Sequence, residues 1–388
     1  MLRGLKVKSL VWRFSFRTGP VNGLTDCPPQ MQRKQRKTLE RNGGELRGRG
    51  AVSLKQLAAH LGLSTTTLSL VLNNAPSANS IPEETKKRIF SAAKELKYRP
   101  NYLARSLRVQ RTHTLGVLVP ELSDGYSAMV LNGVEAALAD EGFFYLTASH
   151  LHRDDLLERL PEVLIERQVE GIIAVDTPIR FEPDLPVVNV SGHEEIEGVT
   201  NVILNHQHAA ELGIGHLQEL GHRKIAVIKG QVFSSDTEER FETIVKAANE
   251  RSIPISSNLI QQLEGDLPSP EVGYAATKKL IGADEKFTAL FAFNDVSAIG
   301  AIRALEEDGL RVPEDVSVIG FDDIYGAAFH NPALTTIRQP LFEMGRLAAK
   351  TLLQELAGER NGHSANVLSV EPTLIVRHST ARISKALI

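Results

Sequence analysis

From residue 53 onward the apolar positions follow a helical rhythm. Leu54, Leu57, Ala58 and Leu61 recur at i, i+3, i+4 and i+7, one face of a helix. Gly62 follows, where a left-handed residue ends a helix. Ser64 then caps a second helix whose inward residues are Leu68, Val71 and Leu72. A third helix is predicted over "PEETKKRIFSAAKELKY", with Pro82 in its first turn and Glu83 and Glu84 near the positive end of its dipole. Its inner face holds Ile89, Ala92, Ala93 and Leu96, Pro100 ends it, and Asn101 caps one more short helix in "NYLARSLRV".

Beyond Thr112 the rhythm becomes strand, helix, strand. Continuous apolar, β-branched runs occur at 114–120, 143–149, 169–176, 186–192, 223–230, 287–295, 316–323 and 373–379. Amphipathic stretches such as "SAMVLNGVEAALADEG" and "DVSAIGAIRALEEDG" lie between them. Such strands alternating with helices predict parallel sheets covered on both faces. Their number suits two doubly wound lobes, with ligands held at the carboxyl ends of strands in the cleft between them.

Composition adds a division of charge. The chain has 388 residues, 42% of them hydrophobic, and a formal net charge of −3. That total hides +9 over residues 1–50, +7 over 51–112 and −19 over the remainder. A basic front on an acidic body points to a polyanion partner for the front. Residues 1–50, including "RKQRKTLERNGGELRGRG", have no sustained period and read as a disordered basic extension. No apolar run reaches the length of a membrane span, and Arg13 and Arg17 interrupt the one stretch resembling a signal peptide. The single cysteine, Cys27, forms no internal disulfide, which fits a cytoplasmic protein.

Helix, glycine turn and a second helix opening on bare hydroxyls, Ser64 to Thr67, is the pattern of a helix-turn-helix. In that motif the first turn of the second helix meets base edges in the major groove. Threonine hydroxyls there can bond phosphates or bases, and their methyls can pack on thymine. The plain alternative is a capped helix in an ordinary helical domain. The segment "NYLARSLR" favours DNA: Arg105, Arg108 and Arg111 suit phosphates, and Leu103 and Leu107 are apolar residues on a helix too short to stand alone. An apolar wedge entering a minor-groove step accounts for such a leucine.

From Ser53 to its end the chain resembles the lactose-repressor/galactose-repressor family of bacterial transcription regulators. The resemblance rests on "SLKQLAAHLGLSTTTLSLVLNN", "YRPNYLARSLR", "TLGVLVPELSD", "ELGHRKIAVI", "FNDVSAIGAIRALEEDGLRVPEDVSVIGFDD" and "PALTTIRQP", colinear over most of the chain. It implies a small all-α helix-turn-helix headpiece followed by an α/β body of two doubly wound parallel-sheet lobes of periplasmic-binding-protein type. The expected division is an extension over 1–50, a headpiece over 51–98, a hinge helix over 99–112 and a body over 113–388. Within the body, the N-lobe takes about 113–204 and 338–366 and the C-lobe about 207–335 and 367–380. The implied protein is a cytoplasmic, homodimeric repressor that binds a near-palindromic operator in double-stranded DNA under control of a small effector. It has no enzymatic activity, cofactor or membrane association.

The resemblance places Ser64, Thr65, Thr66, Thr67, Ser69 and Asn73 against DNA, with Thr65 and Thr66 reading bases and Asn73 meeting the backbone. Leu70 stands where several members have a guanine-reading arginine. In the hinge it implies DNA contact by Tyr102, Ala104, Arg105 and Leu107, Leu107 being the wedge. For the effector it implies Tyr126, His206, Arg240, Asn294 and Asp322, a set compatible with a sugar or sugar derivative, a nucleobase or a phosphorylated metabolite. Two departures affect the pocket. Gly125-Tyr126-Ser127 replaces a stretch commonly richer in aromatics, and Asn205-His206 replaces a common Asp-Asn pair. No metal is assigned, the pair His206 and His208 being too sparse for one. A solute receptor of a transport system and a sugar-processing enzyme are the alternative readings. The attached headpiece opposes the first, and the lack of a nucleophile elbow or phosphate loop opposes the second.

Overall fold

The computed structural model describes residues 52–99 and 111–383, except 74, 124, 140, 183, 266–268 and 360–365. The predicted extension over 1–50 and the hinge residues Tyr102, Ala104, Arg105 and Leu107 lie outside the described residues. The chain divides into two units near residue 105.

In the headpiece, Ser53 caps helix α1 (Leu54–Leu61) through a capping box, in which its hydroxyl accepts from the Gln56 amide and its own N–H donates to the Gln56 side chain. Gly62, at φ 68°, closes α1 in the left-handed conformation. This turns the chain into α2 (Thr65–Leu72), capped by Ser64, whose Oγ accepts from Thr67 N at 3.0 Å. A 3-10 turn (Pro76–Ser80) leads to α3 (Glu83–Glu95). Leu57, Leu68, Val71 and Ile89 form the centre of the small core these helices share.

The body contains two six-stranded sheets. The first holds β1 (Thr114–Val119), β2 (Phe144–Ser149), β3 (Ile172–Val175), β4 (Val187–Val190), β5 (Val199–Leu204) and β11 (Asn366–Val370), in the order β11-β5-β4-β3-β1-β2. The second holds β6 (Ile225–Lys229), β7 (Ile260–Gln262), β8 (Ala289–Phe291), β9 (Ser317–Asp322), β10 (Thr335–Arg338) and β12 (Thr373–Ile375), in the order β12-β10-β9-β8-β6-β7. Pairing is parallel throughout except between β10 and β12. In each sheet the strand order reverses beside its first strand, which opens a crevice at the carboxyl ends, where such folds bind ligands.

Helices α4 (Tyr126–Leu138), α5 (Asp154–Glu166) and α11 (Leu341–Leu356) belong to the first lobe. The second lobe carries α6 (His206–Glu219), α7 (Asp236–Glu250), α8 (Pro270–Ile281), α9 (Asp295–Glu307) and the short α10 (Tyr325–Phe329). Helices α4 and α11 approach backbone to backbone: a Cβ on Gly133 would lie 1.9 Å from the Phe342 carbonyl oxygen. The chain passes between lobes after β5, after β10 and after β11. The last of these corrects the expected division. Asn366–Val370 pairs with Thr200–Leu204 in the first sheet, so the second lobe resumes with β12 rather than at 367.

Candidate functional site: a closed interlobe cleft and an exposed helix turn

On α2 the row of hydroxyls divides by role. Ser64 bonds Thr67 twice, by its cap and by an Oγ–Oγ1 contact of 2.8 Å, while Thr65 and Thr66 remain exposed at the helix start. At the other end the Asn73 amide donates to Ser69 O at 2.7 Å and lies near Ser69 Oγ at 3.2 Å. Asn73 therefore ties down the last turn of its own helix, and Ser69 shares in that tie. Leu70 is half-buried against the headpiece core.

In the body, the ends of β1, β3, β6, β8 and β9 meet around a cavity of about 40 Å³. Among the described residues lining it, four carboxylates, those of Glu121, Asp176, Asp236 and Asp322, accompany one guanidinium, that of Arg240. This volume is far below the few hundred Å³ of an ordinary ligand pocket. The lobes are closed on their own side chains. Ser234 and Ser235, entering α7 in the second lobe, donate to Asp176 at the end of β3 in the first, at 3.2 and 2.9 Å. Ser235 also donates to the Ser191 carbonyl. The His152 ring stacks on Phe233 with centroids 3.7 Å apart, and its Nε2 meets Glu121 at 2.8 Å. His193, on the first-lobe segment between β4 and β5, reaches Asp236 Oδ1 at 2.7 Å.

The predicted effector residues fall in or beside this cleft with partners already in place. Tyr126 begins α4 and its hydroxyl pairs with Ser191 Oγ at 2.7 Å. Burial foremost, then the charges of Asp236 and Asp176, hold its phenol well above the ordinary tyrosine value. Arg240 donates through Nη1 to Phe293 O at 2.6 Å and through Nη2 to Asp236 Oδ2 at 2.8 Å. Its guanidinium lies 3.7 Å from the Phe321 ring centroid and 4.5 Å from that of Phe293. Asn294 caps α9, accepting from Ser297 N at 2.8 Å, and Asp322 accepts from Gln339 Nε2 at 2.7 Å. His206 sits outside the lining, with Nε2 at 3.3 Å from Asp236 Oδ1 and its ring stacked on Phe321. His208 points elsewhere, to Glu371 at 2.7 Å.

Sequence reading had not singled out Glu121, His152, Asp176, His193, Ser235 or Asp236. For Asp176 and Glu121 a signal was available, since each ends an apolar strand as Asp322 does. Two acids depart from ordinary values. Burial, then repulsion from Asp236, pushes the Asp176 carboxyl up to about 6. Burial opposes ionisation of Asp236, but His206, His193 and Arg240 reverse it and hold that carboxyl well below the usual range.

A three-helix headpiece presenting an exposed polar turn, joined to two doubly wound lobes closed on a polar cleft, defines a DNA-binding regulator with a ligand-sensing body. Residues 53–101 match the profile of bacterial regulatory proteins of the lacI family, and residues 214–380 match a periplasmic binding protein-like domain. The HTH-type transcriptional repressor PurR of Haemophilus influenzae is 33% identical over 342 residues, spanning 85% of this chain and 99% of that protein. PurR of Pasteurella multocida is 33% identical over 337 residues, 84% of this chain and 98% of that one. The chain belongs to the lacI family of bacterial regulatory proteins. Its fold is similar to that of the lac repressor dimer bound to operator and the anti-inducer ONPF, with a TM-score of 0.73 and 25% identity over 86% of this chain and 100% of that one. It is also similar to the CelR–cellobiose complex, with a TM-score of 0.63 and 28% identity over 84% of this chain and 99% of that one.

Proposed function

We propose that this protein is a cytoplasmic, homodimeric transcriptional repressor without enzymatic activity, whose hold on an operator is set by a small molecule entering the interlobe cleft. The observation that carries the reading is the exposed Thr65–Thr66 turn of α2, held outward by the Ser64 cap beneath it. Two such turns in a dimer would read the halves of a near-palindromic site, the hydroxyls bonding base edges or phosphates. The hinge residues Tyr102, Ala104, Arg105 and Leu107 complete the interface in this reading.

A neutral polyhydroxylated effector, a sugar or sugar derivative, fits the cleft best. The charge of Arg240 is already matched by Asp236, and the other carboxylates of the lining oppose an anion such as a phosphorylated metabolite. Carboxylate and amide groups at strand ends suit paired hydroxyls. The relative CelR was solved with cellobiose. Because the cavity is far smaller than an ordinary ligand pocket, the effector enters an opened cleft and exchanges its own hydrogen bonds for those joining the lobes. Lobe movement then alters how the headpieces are presented to DNA.

Selection of bound sequences from a random duplex pool by the full chain tests the reading, repeated with panels of neutral and phosphorylated sugars. A recovered palindrome whose occupancy responds to a neutral sugar supports it. Recovery of no sequence under any condition refutes it.

A further inference from the structure

We propose that His193, His206 and Asp236 form a divalent transition-metal site of the Zn²⁺ class, assembled when the lobes close. Their ligand atoms all lie within 4.8 Å of one another. The two imidazole Nε2 atoms converge on a single carboxylate oxygen, Asp236 Oδ1, at 2.7 and 3.3 Å. The opposite oxygen, Oδ2, is fixed by Arg240. Two imidazoles and one monodentate carboxylate are a donor set suited to Zn²⁺ and Co²⁺, with a fourth position left for water or an incoming group.

Burial and placement support the assignment. The His206 and Asp236 side chains are 2% and 5% exposed, and that of His193 is 20% exposed. His206 Nδ1 has no hydrogen-bond partner, so the ring can carry its proton there and give the Nε2 lone pair, which now faces Asp236 Oδ1, to a metal. The nearby guanidinium lowers the affinity expected of the three ligands. The carboxylate of Asp176, a further lining residue, offsets it, so that a dication does not enter a positive pocket.

The ligands come from both lobes. His193 belongs to the first, on the segment between β4 and β5, whereas His206 and Asp236 begin α6 and α7 in the second. An ion held by all three therefore clamps the cleft shut, and opening the lobes releases it. This inference does not depend on what α2 reads.

The test uses the full-length protein, stripped with a chelator and titrated with Co²⁺ and then Zn²⁺. One Co²⁺ per protomer is expected, with the intense visible bands of a four-coordinate ion and displacement by Zn²⁺. His193→Gln should weaken binding by at least about tenfold, while His208→Gln, altered at the ring that faces Glu371, should bind as the parent does. Zn²⁺ should raise the melting temperature of the parent and of His208→Gln but not of His193→Gln. His206→Gln carries the same test if the chelated His193→Gln chain melts differently from the chelated parent. Absence of four-coordinate bands, or bands and a thermal shift that survive both glutamine substitutions at His193 and His206, overturns the assignment.

Discussion

Asp295 offers a direct test of how the second lobe tolerates a buried charge. It opens α9 with no exposure, its Oδ1 accepting from Thr336 Oγ1 at 2.6 Å and its Oδ2 from Ile324 N at 2.9 Å. Burial is the largest influence on its carboxyl and raises it from 3.8 to about 7. An acid whose folded-state value is raised binds its proton more tightly when folded. Its contribution to stability is therefore greatest below the unfolded value and is lost as pH rises towards 7. Between pH 5.5 and 8.5 the linkage amounts to about 2 kcal/mol, since a tenfold difference in proton affinity between folded and unfolded chains is worth about 1.4 kcal/mol. Asparagine is nearly isosteric, and turned correctly it accepts from Ile324 N while donating to the Thr336 hydroxyl. Asp295→Asn should therefore already be ahead of the parent at pH 5.5, where the unfolded carboxyl has lost its proton, and should gain a further ~2 kcal/mol on it by pH 8.5. For a unit of this size the gain is about 4–8 °C in melting temperature. Melting followed by circular dichroism at both pH values reads the difference directly. Parallel pH profiles for parent and variant would refute the reasoning, because the buried carboxyl would then be ionised without cost.

Three further outcomes are expected. Ser64→Ala removes the cap on Thr67 N and should destabilise the headpiece by about 1 kcal/mol, read as earlier headpiece melting together with weaker DNA retention; unchanged melting would show that the cap is dispensable. Gly133→Val drives a side chain into the Phe342 carbonyl and should prevent the first lobe from folding, so recovery of a soluble variant with the parent's melting curve would contradict the close approach of α4 and α11. Ser235→Ala deletes hydroxyl bonds to Asp176 and the Ser191 carbonyl across the cleft and should shift the lobes towards the open form by about 1 kcal/mol. A larger radius of gyration in solution scattering checks this, and no change would mean that other contacts hold the cleft closed.

The parts of the fold that were legible are those whose burial is local and continuous. Thr114–Val119 is buried at every position, and its unbroken apolar run announced a central strand. The strands β5, β7, β10 and β11 gave no comparable signal. Asn366–Val370 alternates half-buried and exposed positions on a sheet edge, β7 spans three residues, and β10 opens on two threonines. None of these makes the apolar run that marks a central strand. Missing β11 also shifted the assigned lobe boundary, since its partner lies far upstream in sequence. In the cleft, strand-end position disclosed Asn294 and Asp322, yet their hydrogen bonds to Ser297 and Gln339 depend on turns and on distant chain. The pairing of His193 with Asp236 was illegible for a stronger reason: it exists only where two lobes touch, and no local pattern encodes their approach.

The first sheet has a consequence for the order in which the protein is made. Its strand β5 ends at Leu204, but the strand that covers its outer edge, β11, begins at Asn366. Helix α11, which fills the face beside α4, also comes late, at Leu341–Leu356. A ribosome therefore releases five strands of this lobe well before the pieces that finish it, whereas β6 to β10 and their helices emerge as an uninterrupted run. During that interval β5 presents an unpaired edge of backbone N–H and C=O groups, the kind of surface on which nascent chains join one another. Slowing translation between residues 205 and 340 should lower the yield of soluble protein more than slowing it after residue 370. For this protein, the passage of the chain back into its first lobe makes the last tenth of synthesis the step that protects the first half.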